Sequence, residues 1–185
     1  NADVRLLRYI NSTANGADKG WRLVTNSLNV VELGTPLTML VVGLAKHDQP
    51  LTDKAVETVG ALAIAEITTI GLKDLIQRQR PFTSYPLLIT RKASGGGYSF
   101  PSGHTSGAFA TATALSFAFP KWYVIVPSYT YASLVGYSRL YLGVHYPGDV
   151  LAGAALGAGS SILSREINTW INKKRPGHRH LITVN

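Results

Sequence analysis

Three short segments of this 185-residue chain gather the side chains that can do chemistry. Lys73-Asp74-Leu75-Ile76-Gln77-Arg78-Gln79-Arg80-Pro81 carries Lys73 and Arg80 seven positions apart. On one helix that spacing puts both cations on one face, two turns apart, so that both enter one pocket. Pro101-Ser102-Gly103-His104-Thr105 reads as a helix start, with Ser102 as the cap and Gly103 allowing close approach to the backbone. The free N–H groups of a first helical turn favour an anion, and His104 sits on that turn. The third segment runs from Ser138-Arg139 to His145-Tyr146-Pro147-Gly148-Asp149. A carboxylate four residues after a histidine, around a Pro-Gly turn, can accept the imidazole Nδ1–H. That fixes the tautomer and leaves Nε2 free as a nucleophile or base.

Each segment alone has a plain structural explanation. The first is equally a solvated basic helix end meeting the C-terminal dipole. The second is an ordinary capped helix with an exposed histidine. The third is a core histidine beside a helix-capping aspartate. Together they supply three strong cations, a helix N-terminus, two histidines and one carboxylate. That set suits a phosphoryl group: cations on the equatorial oxygens, one histidine to attack, one to protonate the leaving oxygen.

The combination Lys73-x6-Arg80-Pro81, Pro101-Ser102-Gly103-His104 and Ser138-Arg139-x5-His145-x3-Asp149 resembles the type 2 phosphatidic acid phosphatase superfamily. That superfamily includes bacterial class A acid phosphatases, lipid phosphate phosphatases and vanadium haloperoxidases. The three motifs occur in order and span residues 73–149. The resemblance implies that Lys73, Arg80 and Arg139 bind phosphate oxygens, with hydrogen bonds from Ser102 and the Gly103 N–H. It implies that His145 attacks phosphorus to give a phosphohistidine, that Asp149 orients His145, and that His104 protonates the leaving alkoxide and then helps activate water. It further implies no metal and no cofactor, with vanadate as an inhibitor. On the sequence, Asp149 is the pocket's one carboxylate, and Asp74 lies about 100° around the helix from Lys73.

The elements that position these groups read as helical almost throughout, as one all-α bundle over residues 1–185 with its motif-bearing core at 73–149. Expected helices cover 3–10, 18–28, Pro36 to about Lys46, Asp53 to about Gln79 with Thr52 as cap, Ser102 to Phe119, 122–141, and Pro147 to Trp170 or Asn172. Ser12 to Gly16 is a break, Asp48-Gln49-Pro50 a turn, and 82–100 a loop containing Gly95-Gly96-Gly97. Ala152, Gly153, Ala154, Ala155, Gly157, Ala158 and Gly159 give the last helix a small-residue face for close packing. Phe82, Tyr85, Tyr98 and Phe100 either line a groove for a lipid, isoprenoid or nucleotide, or pack the loop onto the bundle.

Composition narrows the partners. The chain has no cysteine, which excludes disulfides, thiolate metal sites and a cysteine nucleophile. Its net charge is +8, with −1 in residues 1–74 and +9 in 75–185, so an anionic partner is expected. A nucleic-acid-binding module has only this charge in its favour, because the placeable cations converge with histidines. A vanadate-dependent haloperoxidase shares the site, but such relatives are much larger. The expected partners are therefore a phosphorylated lipid or small phosphoester and a membrane surface, with no nucleic acid and no protein partner inferable. A soluble, non-specific periplasmic acid phosphatase is the alternative. Stretches free of charged residues and histidine are short (105–120, 122–138, 150–164), and Trp170 precedes Lys173, Lys174, Arg175 and Arg179. These favour a peripheral enzyme of the cell envelope on its periplasmic or extracytoplasmic face over an integral one.

Overall fold

The computed structural model describes residues 2–12 and 16–174, with seven helices and no strand among them. The helices are α1 (Ala2–Asn11), α2 (Asp18–Ala45), α3 (Gln49–Ile76), α4 (Pro81–Ser84), α5 (Gly103–Ala118), α6 (Trp122–Tyr141) and α7 (Pro147–Lys174). The all-α bundle follows the helical periodicity of the sequence. Arg175 and Arg179 lie outside the described residues.

α5 is the central element and packs against α2, α3, α6 and α7. Its buried residues are small: Thr105, Ser106, Gly107, Ala108, Ala110, Thr111, Ala112, Thr113 and Ala114. Small side chains on every face let four helices approach one axis closely. The tightest approach is to α7. A Cβ on Gly153 would lie 2.6 Å from the Ser102 carbonyl oxygen, and one on Gly157 would overlap the Ser106 carbonyl and lie 2.8 Å from the Ala110 amide. α3 joins α7 through polar groups: Ser164 Oγ donates to the Glu57 carbonyl at 2.7 Å, and Asn168 Nδ2 to Glu57 Oε1 at 3.0 Å.

The helix boundaries differ from the sequence reading in two places. Residues 18–28 and 36–46 are not separate pieces but one 28-residue helix, α2, which runs through a buried Pro36. Proline removes one intrahelical hydrogen bond, to the carbonyl four residues earlier, yet the apolar run on both sides keeps the helix continuous. α3 starts at Gln49 rather than Asp53. Asp48, not Thr52, is its cap, accepting from the Leu51 N–H at 3.1 Å, and Pro50 sits in the first turn where its missing donor costs nothing. α3 also ends earlier than expected, at Ile76, because Gln77 takes a left-handed conformation with φ 52°.

The surface adds to the case for membrane association. α2 and α3 are each long and apolar enough to cross a membrane, and only 22% and 33% of their apolar windows are buried. A core helix of a water-soluble protein buries most of its apolar face. Here Leu33, Leu37, Val41 and Leu44 of α2, Val56, Val59, Ile67 and Ile70 of α3, and Leu151, Ile162 and Ile167 of α7 face outward. Scanning for stretches with no charge at all missed α2 and α3, since one carboxylate interrupts each. Trp122, Tyr123 and Trp170 are exposed at the end of the bundle away from the motif-bearing helix ends, where amphipathic rings anchor at a membrane interface.

The α5–α7 contact gives a packing test. Gly157→Ala is expected to destabilise by about 1–3 kcal/mol, since backbone and not a flexible side chain blocks the new methyl. Gly159→Ala, whose Cβ meets open space, is expected to be neutral or mildly stabilising. Thermal melting of both variants in detergent micelles measures the contrast.

Candidate active site

The C-termini of α3 and α6 and the N-termini of α5 and α7 meet at one end of the bundle, beside the N-terminal half of α2. They enclose a cavity of about 530 Å³ lined by Lys73, Arg80, Gly103, His104, Arg139 and His145. The three motifs therefore do form one site. The route is not the expected one for Arg80. The helix ends at Ile76, so Lys73 and Arg80 do not share a helix face; the left-handed turn at Gln77 swings Arg80 back to the cavity as the residue before α4.

Backbone carbonyls fix the cations. Arg80 is buried and donates through Nε to Gly97 O at 3.1 Å, through Nη2 to Gly96 O at 2.8 Å and through Nη1 to Val144 O at 2.9 Å. Lys73 Nζ donates to Tyr98 O at 2.9 Å, so the Gly-rich loop is the collar that holds both. Arg139, in the last turn of α6, donates through Nη1 to Thr25 Oγ1 at 2.7 Å, and its buried Nε has no partner among the described residues.

His145 lies fully inside, with Nε2 3.3 Å from Arg80 Nη1. A guanidinium has no acceptor, so Nε2 carries the lone pair and Nδ1 carries the proton. Nδ1 lies 3.5 Å from Asp149 Oδ2. Asp149 is completely buried and does more than face His145. Arg78 Nη1 donates to Oδ1 at 2.7 Å, the Tyr146 N–H donates to Oδ2 at 2.9 Å, and Ser99 Oγ donates to Oδ2 through a very short bond. Burial alone would raise its pKa; the contacts from His145, Ser99 and Tyr146 outweigh burial and hold it below the usual carboxylate range.

Other expected residues fall as follows. Ser102 is the α5 cap and is wholly buried; its Oγ bonds Thr105 Oγ1 at 2.9 Å and it does not line the cavity. Its backbone N–H donates to the Asp149 carbonyl at 3.0 Å, tying the second motif to the third. Asp74 is exposed and turned away. None of Phe82, Tyr85, Tyr98 and Phe100 lines the cavity; Phe82 and Tyr85 pack into buried clusters around Tyr141 and Tyr146.

Asp149 is buried behind His145 and is not among the residues lining the cavity. Glu32 of α2 and Glu66 of α3 line the same cavity, a correction to the single-carboxylate expectation. No motif marks either one. Arg78 and Ser99 were also missed. Arg78 reaches Asp149 and Asp3 and lies 3.9 Å over the Tyr146 ring, and Ser99 is buried beneath the loop. Both flank the expected motif residues, but sequence spacing alone carries no sign of their shared carboxylate. Among the described residues, no group of three or more His, Cys, Asp and Glu side chains is placed to hold a metal ion.

Residues 54–173 match the family model of the PAP2 superfamily, well over half of the chain. The chain belongs to the PAP2 superfamily. Its relatives include the lipid A 4'-phosphatase of Bacteroides thetaiotaomicron, 39% identical over 93 residues, 46% of this chain and 40% of that one. The undecaprenyl-diphosphatase of Sulfolobus acidocaldarius is 29% identical over 167 residues, covering 90% of this chain and 79% of the relative. The chain thus spans less than half the length of the first and most of the second. Among solved structures, LpxE of Aquifex aeolicus superimposes with a TM-score of 0.74 at 29% identity, over 88% of this chain and 93% of that one. The transmembrane PAP2-type phosphatidylglycerolphosphate phosphatase of Bacillus subtilis does so at 0.73 and 25% identity, over 94% and 88%.

Electrostatics set the resting protonation of this PAP2 site. Burial, then Arg139, His145, Arg80 and Lys73, lower the His104 pKa to about 3. Burial is the main cause of the lowering of His145 to about 4, opposed by Asp149 and assisted by Arg80 and Arg139. Both rings are neutral at neutral pH. Between about pH 4 and pH 6.5 the unfolded chain takes up protons that the folded rings refuse, so these two groups make stability fall as pH is lowered through that window. Imidazole NMR in micelles, assigned with His104→Gln and His145→Gln, is expected to show both rings unprotonated at pH 5.5. Titration of either near 6.5 contradicts the buried placement.

Proposed function

We propose that the protein hydrolyses a phosphomonoester or pyrophosphate of a membrane lipid, without a metal, through a phosphohistidine on His145. The observation that carries this reading is the convergence of Lys73, Arg80 and Arg139 with His104 and His145 in one cavity at the end of an apolar-surfaced bundle. The cations neutralise the equatorial oxygens of the phosphoryl group, and the Gly103 N–H, at the positive end of α5, adds a donor. His145 Nε2 attacks phosphorus in line, and the bond to the leaving oxygen breaks. Asp149 stabilises the positive charge that forms on the ring.

His104 delivers a proton to the leaving oxygen. A phosphate dianion offsets the cationic repulsion that lowers the His104 pKa, so substrate binding favours the charged acid the step needs. In the second half, His104 takes a proton from water, water attacks the phosphohistidine, and inorganic phosphate leaves with His145 neutral again.

The exposed apolar belt on α2, α3 and α7 supports an integral position with the cavity at the membrane surface, where a lipid phosphate lies. It counts against the soluble acid-phosphatase alternative. The relatives' names, lipid A 4'-phosphatase and undecaprenyl-diphosphatase, support a lipid substrate. Lys173 and Lys174 lie at the end of α7 opposite the cavity. Cations flanking a span favour the cytoplasmic side, which supports a cavity on the extracytoplasmic face.

Purified enzyme in detergent is expected to release phosphate from phosphatidate, phosphatidylglycerol phosphate, undecaprenyl pyrophosphate or a phosphorylated glycolipid in EDTA, with inhibition by vanadate. Activity lost in EDTA and restored by Mg²⁺ overturns the metal-free mechanism. Activity confined to water-soluble phosphoesters overturns the lipid reading. The two-histidine assignment has its own test. His104→Ala is expected to retain far more activity on p-nitrophenyl phosphate, whose leaving group needs no proton, than on an alkyl phosphate. Equal losses on both contradict the role of His104.

A further inference from the structure

Glu32 is the only charged residue between positions 23 and 45, and Glu66 the only one between 58 and 72. These are the apolar stretches of α2 and α3 that can cross a membrane. A carboxylate in such a stretch is costly and is kept where it faces a cavity with a ligand to meet. Both line the phosphate cavity, yet a carboxylate repels a phosphate dianion, so neither serves the phosphoryl group itself. Neither has a hydrogen-bond or salt-bridge partner among the described residues.

Their placement is built into the helices. The Glu32 side chain rests on Gly107, one turn beyond His104 on α5, where any Cβ would overlap Glu32 Oε1. A side chain at 107 would push that carboxylate from its place on α5. On α3, Glu66, Thr69 and Lys73 follow at helical spacing and all three line the cavity. Thr69 is 1% exposed, and its Oγ1 has no hydrogen-bond partner among the described residues. A buried hydroxyl left unpartnered on a cavity wall is the second sign of an absent ligand.

We propose that Glu32, Glu66 and Thr69 form a headgroup subsite that accepts hydrogen bonds from hydroxyl or ammonium groups on the alcohol that carries the phosphate. The substrate class is then a lipid phosphorylated on a sugar or amino-alcohol headgroup, in preference to a phosphate borne directly on a hydrocarbon alcohol. This rests on the phosphatase reading and deepens it. A site built to pair with donors discriminates against an analogue that lacks them, because half-buried Glu32 and buried Thr69 are then left unpaired, with Glu66 exposed beside them.

The test compares two phosphomonoesters of equal chain length in the same micelles: dodecyl phosphate, which has no donor near the phosphate, and a dodecyl glycoside phosphorylated on its sugar. Wild type is expected to prefer the glycoside in kcat/KM. In Glu32→Gln/Glu66→Gln that preference is expected to fall by at least about tenfold, and in Thr69→Val by less. A glycoside whose sugar carries an amine, run beside it, reports whether an ammonium adds to the preference over hydroxyl alone. A wild type without preference for either glycoside, or a double variant that loses both substrate types in equal proportion, overturns the subsite. Failure of wild type to hydrolyse any of them overturns the phosphatase reading instead. Retained thermal melting of the Gln and Val variants shows that the comparison reads the subsite rather than the fold.

Discussion

The buried Asp149 carboxylate is the constraint on which the rest of the site depends. It is removed from water and costs free energy unless every lone pair is used. Arg78, Ser99, the Tyr146 N–H and the His145 ring converge on it from the turn after α3, the Gly-rich loop and the turn into α7. Through Arg78 it also reaches Asp3 of α1. The carboxylate thereby locks three connecting segments at the one place where His145 must be held. The same contacts keep it ionised, the state in which it can accept the imidazole Nδ1–H.

The bundle serves this arrangement by bringing helix ends together. α5 delivers its N-terminus to the cavity, and its small side chains let α3, α6 and α7 lie close enough for their own termini to reach the same point. Gly153 and Gly157 of α7 make that approach possible at backbone distance. The outward faces are apolar, as membrane association allows. That division explains a surface rich in exposed leucine, isoleucine and valine around an interior of alanine, glycine, serine and threonine. In lipid, close van der Waals packing and satisfied polar groups replace the hydrophobic driving force between helices.

The clustering of the motifs was legible in the sequence because each motif is short and local: each of Lys73, Arg80, Gly103, His104, Arg139 and His145 reaches the cavity. Helix α6 and the start of α5 were legible from proline and cap signals. What was lost had physical reasons. Pro36 reads as a helix start by local rules, but an apolar helix tolerates it internally. Asp48 rather than Thr52 caps α3, since both types cap well and only geometry chooses. Gln77 breaks α3 without glycine or proline to mark it. Arg78 and Ser99 bond a carboxylate far away in sequence, and Glu32 and Glu66 join a cavity whose other walls come from distant helices, which spacing cannot reveal. The two acids also concealed the two helices that are long and apolar enough to span, because a single charge that faces a cavity looks, in a linear scan, like a charge that faces lipid.

The central claim is that Asp149 holds His145 as the nucleophile. Acid-labile, base-stable phosphate trapped on the enzyme by rapid alkaline quench during turnover, and mapped by mass spectrometry, tests it most directly. The account predicts phosphate on His145 of the wild type, a reduced burst of the same adduct in Asp149→Asn, and none in His145→Gln. Phosphate mapped to His104, or full turnover of His145→Gln with no adduct anywhere, would contradict it.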